Sequence, residues 1–345
     1  MIDLRSDTLT LPDEGMLKTI LSAKLGDDGR QDINGRGEDL TVNELEDLSA
    51  LLTGKDEAVL FPSGTAANTA AVLAYCNPGE KVLVDERQHI YRTEKIVFEQ
   101  SLGQLIPVTY KLNDRNTPDI DNLRTLMQQN DIKLLCVENT HNSAGGACTN
   151  LEELEKIYSV AKEFTVPIHL DGARLFNAVV SLGVEAKDIC KYVDSVMFCI
   201  SKGLGAPIGS LLCGSKDFVK KAKAKRKLLG GNMRQAGIIA APGIYALQNN
   251  IERLIEDHKN AKYAADNLRD LKKAKVQEDV QSNIVMLDVA KTGLSAEEYC
   301  AMAKEKGLRI SPSVGSNVRL VFYNGINREA TAQAVMIIKD IDSAE

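Results

Sequence analysis

Two short stretches carry the residues with the most chemical promise. In Asp194-Ser-Val-Met-Phe-Cys-Ile-Ser-Lys-Gly-Leu-Gly-Ala-Pro-Ile-Gly209, an apolar run from Val196 to Ile200 delivers Lys202 into a glycine-rich turn. In Val166-Pro-Ile-His-Leu-Asp-Gly-Ala-Arg174, a second apolar run ends in the carboxylate of Asp171. Short continuous apolar runs of this kind predict strands buried on both faces, as a parallel sheet requires. Both ionisable groups then stand at the carboxyl ends of their strands, the edge where open α/β sheets bind ligands. Taken alone, Ser-Lys-Gly fits a solvated loop lysine better than a reactive one.

The pair narrows the chemistry. The interval between the two runs accommodates one helix, so the strands can be parallel neighbours about 4.8 Å apart, with both side chains at one edge. An amine and a carboxylate so placed can flank one small ring. Pyridoxal 5'-phosphate (PLP) needs such a pair: a lysine to form a Schiff base with its aldehyde, and a carboxylate to stabilise the protonated ring nitrogen that makes the ring an electron sink.

Two further signals fit the same chemistry. Between the strand-like Ala58-Val-Leu-Phe61 and an alanine-rich helix lies Pro62-Ser63-Gly64-Thr65. Small residues at a helix N-terminus expose unpaired N–H groups at the positive end of the helix dipole, which suits a phosphate, although a plain N-cap gives the same pattern. Lys81-Val-Leu-Val-Asp85 leads into Glu86-Arg-Gln-His89-Ile-Tyr91. Its imidazole can stack on a flat cofactor or move a proton, or be a surface histidine.

The elements that position these groups alternate. Strands are expected at 58–61, 81–85, 105–110, 134–137, 166–170, 196–200 and 209–213, with helices at 41–53, after Thr65, 120–129, 150–164 and 216–229. Strands alternating with helices argue for right-handed βαβ units and a mostly parallel sheet covered on both faces. Thr41-Val-Asn-Glu44 has capping-box spacing. Residues 1–40 are polar and glycine-rich and read as an arm and loops outside the core. From Met233 to about Lys275 the pattern is helical almost throughout, with Pro242 marking a kink or a new start. Strands at 284–289 and 318–322 and helices at 295–306 and 327–342 make a small α+β unit. The expected division is an arm plus large domain over 1–249 and a small domain over 250–345.

Composition excludes several classes. The chain has 345 residues, 44% hydrophobic and 26% charged, the profile of an ordinary globular protein with a substantial core. Its net charge of -6 argues against nucleic acid as a partner, and the basic run Lys220–Lys227 reads as a solvated helix face. Seven cysteines without CxxC spacing suggest neither a disulfide framework nor a metal site, so a reducing compartment is expected. No apolar signal core opens the sequence, and its longest apolar stretch, 238–247, falls short of a bilayer span. The expected location is the cytoplasm, away from membranes.

At this point the residues resemble a known family. LRSDT at 4–8, GEDLTVNELE at 37–46, FPSGT at 61–65, HIY at 89–91, ENTHN at 138–142, HLDGAR at 169–174, DSVMFCISKGLGAPIGS at 194–210, LLGGNMRQAG at 228–237 and VRLV at 318–321 are similar, in this order, to the low-specificity L-threonine aldolases. The resemblance covers nearly the whole chain. It implies the aspartate-aminotransferase-like α/β fold (fold type I) of PLP enzymes: a large domain with a mostly parallel sheet, and a small α+β C-terminal domain. It implies that Lys202 holds the cofactor aldehyde, that Asp171 pairs with the ring nitrogen, and that His89 stacks on the ring and serves in proton transfer. Ser63, Gly64 and Thr65 would hold the phosphate, helped by Lys227 or Arg234 of a neighbouring subunit. Ser6, Arg174 and Arg319 would take the substrate carboxylate; for Arg174 a local ion pair with Asp171 is the alternative. The activity implied is cleavage of β-hydroxy-α-amino acids to glycine and an aldehyde, by a homodimer or homotetramer with sites at subunit interfaces.

Two departures leave other activities open. The loop from Gly26 to Thr41 is longer than in many relatives and lacks their aromatic residue. The histidine that relatives carry shortly before the ENTHN strand has no counterpart in the shortened Asn130-Asp-Ile-Lys133. Phenylserine-type aldolases and β-eliminating lyases or dehydratases are therefore the alternatives.

Overall fold

In the computed structural model, which describes residues 1–33 and 35–343, the apolar runs become strands close to the expected positions. In chain order the strands are β1 (Ile2–Asp3), β2 (Glu57–Phe61), β3 (Lys81–Asp85), β4 (Ile106–Tyr110), β5 (Ile132–Glu138), β6 (Ile168–Gly172), β7 (Ser195–Cys199), β8 (Ser210–Gly214), β9 (Lys275–Val276), β10 (Ile284–Asp288), β11 (Leu308–Arg309), β12 (Ser311–Pro312) and β13 (Asn317–Val321). The helices, in chain order, are α1 (Glu14–Thr19), α2 (Leu40–Thr53), α3 (Gly64–Tyr75), α4 (Ile120–Gln129), α5 (Leu151–Glu163), α6 (Leu175–Leu182), α7 (Ala186–Cys190), α8 (Lys216–Leu228), α9 (Gly237–Asn249), α10 (Leu254–Asn267), α11 (Ala296–Glu305) and α12 (Arg328–Ser343).

Strands β2 to β8 form one sheet in the order β2-β8-β7-β6-β5-β3-β4. The run from β4 to β7 is parallel throughout, and β8 lies antiparallel to both β7 and β2. Segment 200–209 joins β7 to β8 without a helix. A link that short cannot make a parallel crossover, so the chain must return antiparallel. Gly205, at φ 82°, and Gly209, at φ 120°, absorb left-handed backbone that other residues adopt only with strain. Every residue of β6, β7 and β8 is buried, as a sheet covered by helices demands.

A second core gathers Leu4, Tyr299, Phe322 and Ile338 around the four-stranded antiparallel sheet β12-β13-β10-β9. This is the smaller α+β domain.

Several local expectations change. The segment before residue 40 is not an outlying arm: β1 pairs with β11, Leu4 is fully buried, and the Leu4 carbonyl accepts from Val321 N at 2.8 Å. Helix α2 is capped by Asp39, which accepts from Val42 N at 3.0 Å, and not by Thr41, whose hydroxyl instead accepts from Lys24 N. Asp39 also accepts from Gly237 N at 2.8 Å, so the cap ties two distant segments together. Pro242 lies inside α9 without ending it, and the break falls at Asn250, whose amide donates to the Leu204 carbonyl at 2.8 Å. Within the basic helix α8, Lys220 and Lys221 are exposed, but Arg226 is buried, pairing with Asp28 at 2.9 Å and donating to the Leu60 carbonyl.

Candidate active site

Register brings the predicted pair to one edge. Asp171 in β6 lies opposite Met197 in β7, and β7 runs on through Cys199 and Ile200 to Lys202. The Asp171 carboxylate is buried and accepts from the Asn68 amide at 3.0 Å and from Ala173 N at 3.1 Å. As the penultimate residue of β6, and not beyond its end, Asp171 lies within reach of Asn68 on helix α3. Among the described residues the Lys202 amine makes no hydrogen bond or ion pair, so it is available to a carbonyl.

Helix α3 begins at the same edge. Ser63 is its N-cap, accepting from Ala66 N at 3.2 Å, and the first-turn N–H groups at Gly64 and Thr65 remain to serve an anion. A Cβ at Gly64 would lie 3.0 Å from Cys199 Sγ, so only glycine lets the helix N-terminus sit this close to the end of β7.

His89 follows β3 and opens a π-helical turn over Ile90–Glu94, a geometry common at functional sites. Its Nδ1 lies 3.1 Å from Glu94 Oε1, and its backbone N–H donates to Glu138 at 2.9 Å. A carboxylate only accepts, so Nδ1 carries the proton and the Nε2 lone pair faces away, free to act. The Glu94 hydrogen bond raises the His89 pKa above its ordinary value; burial opposes this, and the charges of Asp171 and Glu138 add to it.

The arginines form a second cluster. Arg174 does not pair with Asp171. It makes a bidentate ion pair with Asp7, Nε to Oδ2 at 2.7 Å and Nη2 to Oδ1 at 2.8 Å. Both side chains are buried. Burial alone would push the Asp7 carboxyl up, but the Arg174 guanidinium, helped by Lys202 and the Asn283 amide, holds it below the usual carboxylate range. Arg174 Nη1 and Arg319 Nη1 donate to the same Asn142 Oδ1, at 3.1 and 2.7 Å. Arg319 Nε is buried without a partner. Burial, and then the neighbouring Arg174, lower the Arg319 pKa to about 10. An anion between these groups would satisfy that nitrogen and relieve the repulsion. Ser6 caps the adjacent short turn by accepting from Thr8 N at 3.2 Å, which leaves its own O–H to donate.

Lys227 and Arg234 stand apart from this cluster. Both are exposed, Arg234 pairs with Asp27 at 2.7 Å, and neither makes a hydrogen bond or ion pair to Ser63, Gly64 or Thr65 among the described residues. Of the residues that sequence reasoning missed, Asp7, Glu138 and Asn142 lie inside motifs it singled out. Asn68 and Glu94 lie in none.

A mostly parallel sheet of this order, with a lysine beyond one strand, a carboxylate at the end of its neighbour and a helix N-terminus against the end of the lysine's strand, defines a PLP enzyme of fold type I. The chain belongs to the family described as Beta-eliminating lyase, which matches residues 3–292. It is 40% identical to the low specificity L-threonine aldolase of Escherichia coli (strain K12), over 96% of this chain and 97% of that one. It is 36% identical to low-specificity L-threonine aldolase 1 of Arabidopsis thaliana, over 94% of this chain and 92% of the relative. Among solved structures, Leishmania major threonine aldolase superposes with a TM-score of 0.81 over 99% of this chain and 100% of that one, at 17% identity, a likeness of fold. Among the described residues no helix is long and apolar enough to cross a membrane.

Proposed function

We propose that this chain is a PLP-dependent aldolase that cleaves L-threonine and L-allo-threonine, and β-hydroxy-α-amino acids more widely, between Cα and Cβ to give glycine and an aldehyde. The observation that carries this reading is the convergence of Asp171, Lys202, the Ser63–Thr65 turn and the Arg174–Arg319 pair at one sheet edge. The names of its relatives support it.

The donor set fits the cofactor: an unpaired amine at Lys202, a buried and doubly hydrogen-bonded carboxylate at Asp171, and free N–H groups at the start of α3. When bound, PLP supplies an aldehyde for the substrate amine and a ring that accepts the electron pair released at Cα. Lys202 would hold the aldehyde, Asp171 the ring nitrogen, and Ser63, Gly64 and Thr65 the phosphate. Arg319, through its unpartnered Nε, would anchor the substrate carboxylate together with Ser6 and with Arg174, whose Nη1 is not taken by Asp7. Anchoring restricts rotation about the Cα bonds, and orientation of this kind contributes on the order of several kcal/mol. His89 Nε2 would take the proton of the β-hydroxyl.

We also assign a homo-oligomer, dimer or tetramer, in which Lys227 or Arg234 of one subunit reaches the phosphate turn of another. The exposed Leu11, Leu21, Leu25, Leu228 and Ile238 support self-association. Unpaired cysteines support a reducing compartment and the cytoplasm. The separate hydrophobic cluster around the four-stranded sheet supports a division into 1–249 and 250–345, with β1 reaching across.

A base must be neutral to act, so kcat/KM should rise as pH passes upward through the raised His89 pKa. Glu94→Gln removes the largest cause of that shift, so the acid limb should move down toward 6.5. An unmoved limb would remove His89 from the role of base. The activity itself is tested by supplying L-threonine, L-allo-threonine and phenylserine in parallel. Glycine plus the matching aldehyde is expected; a 2-oxo acid plus ammonia would instead assign β-elimination.

A further inference from the structure

Behind Asp171 a line of polar side chains runs along the seam between α3 and the strands β6 and β7. Asp171 Oδ2 takes the Asn68 Nδ2–H at 3.0 Å. Asn68 Oδ1 lies 3.1 Å from His169 Nε2, and His169 Nδ1 lies 2.9 Å from Ser195 Oγ. Asn68, His169 and Ser195 are all buried.

The fold places these groups for simple geometric reasons. His169 and Asp171 are two apart in β6 and so face the same side of the sheet. Ser195 is the register partner of His169 on β7. Asn68 lies in the second turn of α3, which packs against both strands.

We propose that this line is a directional hydrogen-bond relay, in which Asn68, His169 and Ser195 are positioning residues that orient the Asp171 carboxylate toward the cofactor. The direction follows by elimination from one end. A carboxylate at Asp171 only accepts, so Asn68 must turn its NH₂ to it and its oxygen to His169. His169 Nε2 must then carry a hydrogen. Burial holds the His169 pKa down at about 4 against the pull of Asp171, so the ring is neutral and Nδ1 is a bare acceptor. Ser195 therefore donates to Nδ1. Every donor points toward Asp171, and bonds in such a chain polarise one another. The relay leaves Asp171 with one lone pair committed to Asn68 and one to Ala173 N, so the carboxylate cannot rotate away from the site edge.

This inference rests on Asp171 as the partner of the ring nitrogen, and the two ideas can fail separately. The direct test is the ¹⁵N spectrum of the histidine rings in the apo and PLP-loaded protein between about pH 5 and 8, with the His169 signal assigned by its loss in His169→Gln. A neutral Nε2–H ring that does not titrate across the range is expected. An Nδ1–H ring, or titration within the range, overturns the proposal, and this reading needs no variant to fold. His169→Gln keeps an N–H donor for Asn68 and His169→Leu does not. Leu should weaken PLP binding and lower kcat by about 10-fold at unchanged KM, and Gln should stay within about 2-fold of the parent. Equal losses in the two variants, or parental PLP affinity in His169→Leu, would overturn the relay. If instead Asp171→Asn bound PLP as the parent does, the assignment of Asp171 itself would fall.

Discussion

Lys202→Ala is expected to lose the visible absorption of the bound cofactor and to slow turnover on the order of 10⁴-fold or more, since removing one member of a unit that acts together costs nearly the whole effect. The thermal midpoint should stay close to the parent's. Among the described residues the Lys202 amine makes no hydrogen bond or ion pair, and its structural weight is limited to its charge acting on Asp7. That separation makes the experiment informative, because the loss cannot be blamed on unfolding. Survival of both the absorption band and turnover would place the cofactor elsewhere.

Asp7→Ala should have the largest effect on stability. It strips the bidentate partner from Arg174 while both groups are buried, and an uncompensated buried charge costs about 3–5 kcal/mol. Asp7→Asn should cost less, because its amide oxygen still accepts one hydrogen bond. The pH dependence is fixed in sign. The Asp7 carboxyl titrates below its ordinary range in the folded chain, so the stability it contributes is present above about pH 3.9 and is lost as pH falls through the lower folded value. In Asp7→Asn that acid-side dependence should shrink. Urea midpoints for the parent and both variants test this. Because Arg174 and Arg319 meet at Asn142 Oδ1, added formate should recover part of the Ala variant's loss by standing in for the missing carboxylate. A parental midpoint in Asp7→Ala would mean that the ion pair contributes nothing.

Much of the site was legible because its signals are local. Lys202 and Asp171 each end a short apolar run, and burial on both faces of a parallel sheet writes that run directly into the sequence. Ser63 and Gly64 announce the start of α3 through capping chemistry and the lack of a Cβ. His89 was legible as a proton-transfer residue, but not which of its nitrogens is free, since the carboxylate that fixes its tautomer is held by a π-helical turn without a periodic signature.

The partners were harder to see. Asn68 stands in the interior of an alanine-rich helix, where a buried amide needs an acceptor, yet nothing nearby in the chain names His169 or Asp171. The alternative local partner for Arg174 was its neighbour Asp171, and the residue that pairs with it is the distant Asp7. The cap of α2 moved from Thr41 to Asp39 because Asp39 also serves Gly237, a bond visible only once α9 is docked. The helical stretch after Met233 broke at Asn250 because that side chain is drawn to Leu204, while Pro242 is tolerated within α9.

The sequence alone determined the alternation of strands and helices, and the strand ends and helix start that carry Lys202, Asp171 and the Ser63–Thr65 turn. Hydrophobic periodicity, turn chemistry and helix capping act over a few residues, so they are readable without a fold. Only the tertiary structure decided which charge neutralises Arg174, which nitrogen of His89 is free, and what stands behind Asp171. Those choices depend on desolvation and hydrogen-bond direction between segments that meet only after the sheet is assembled.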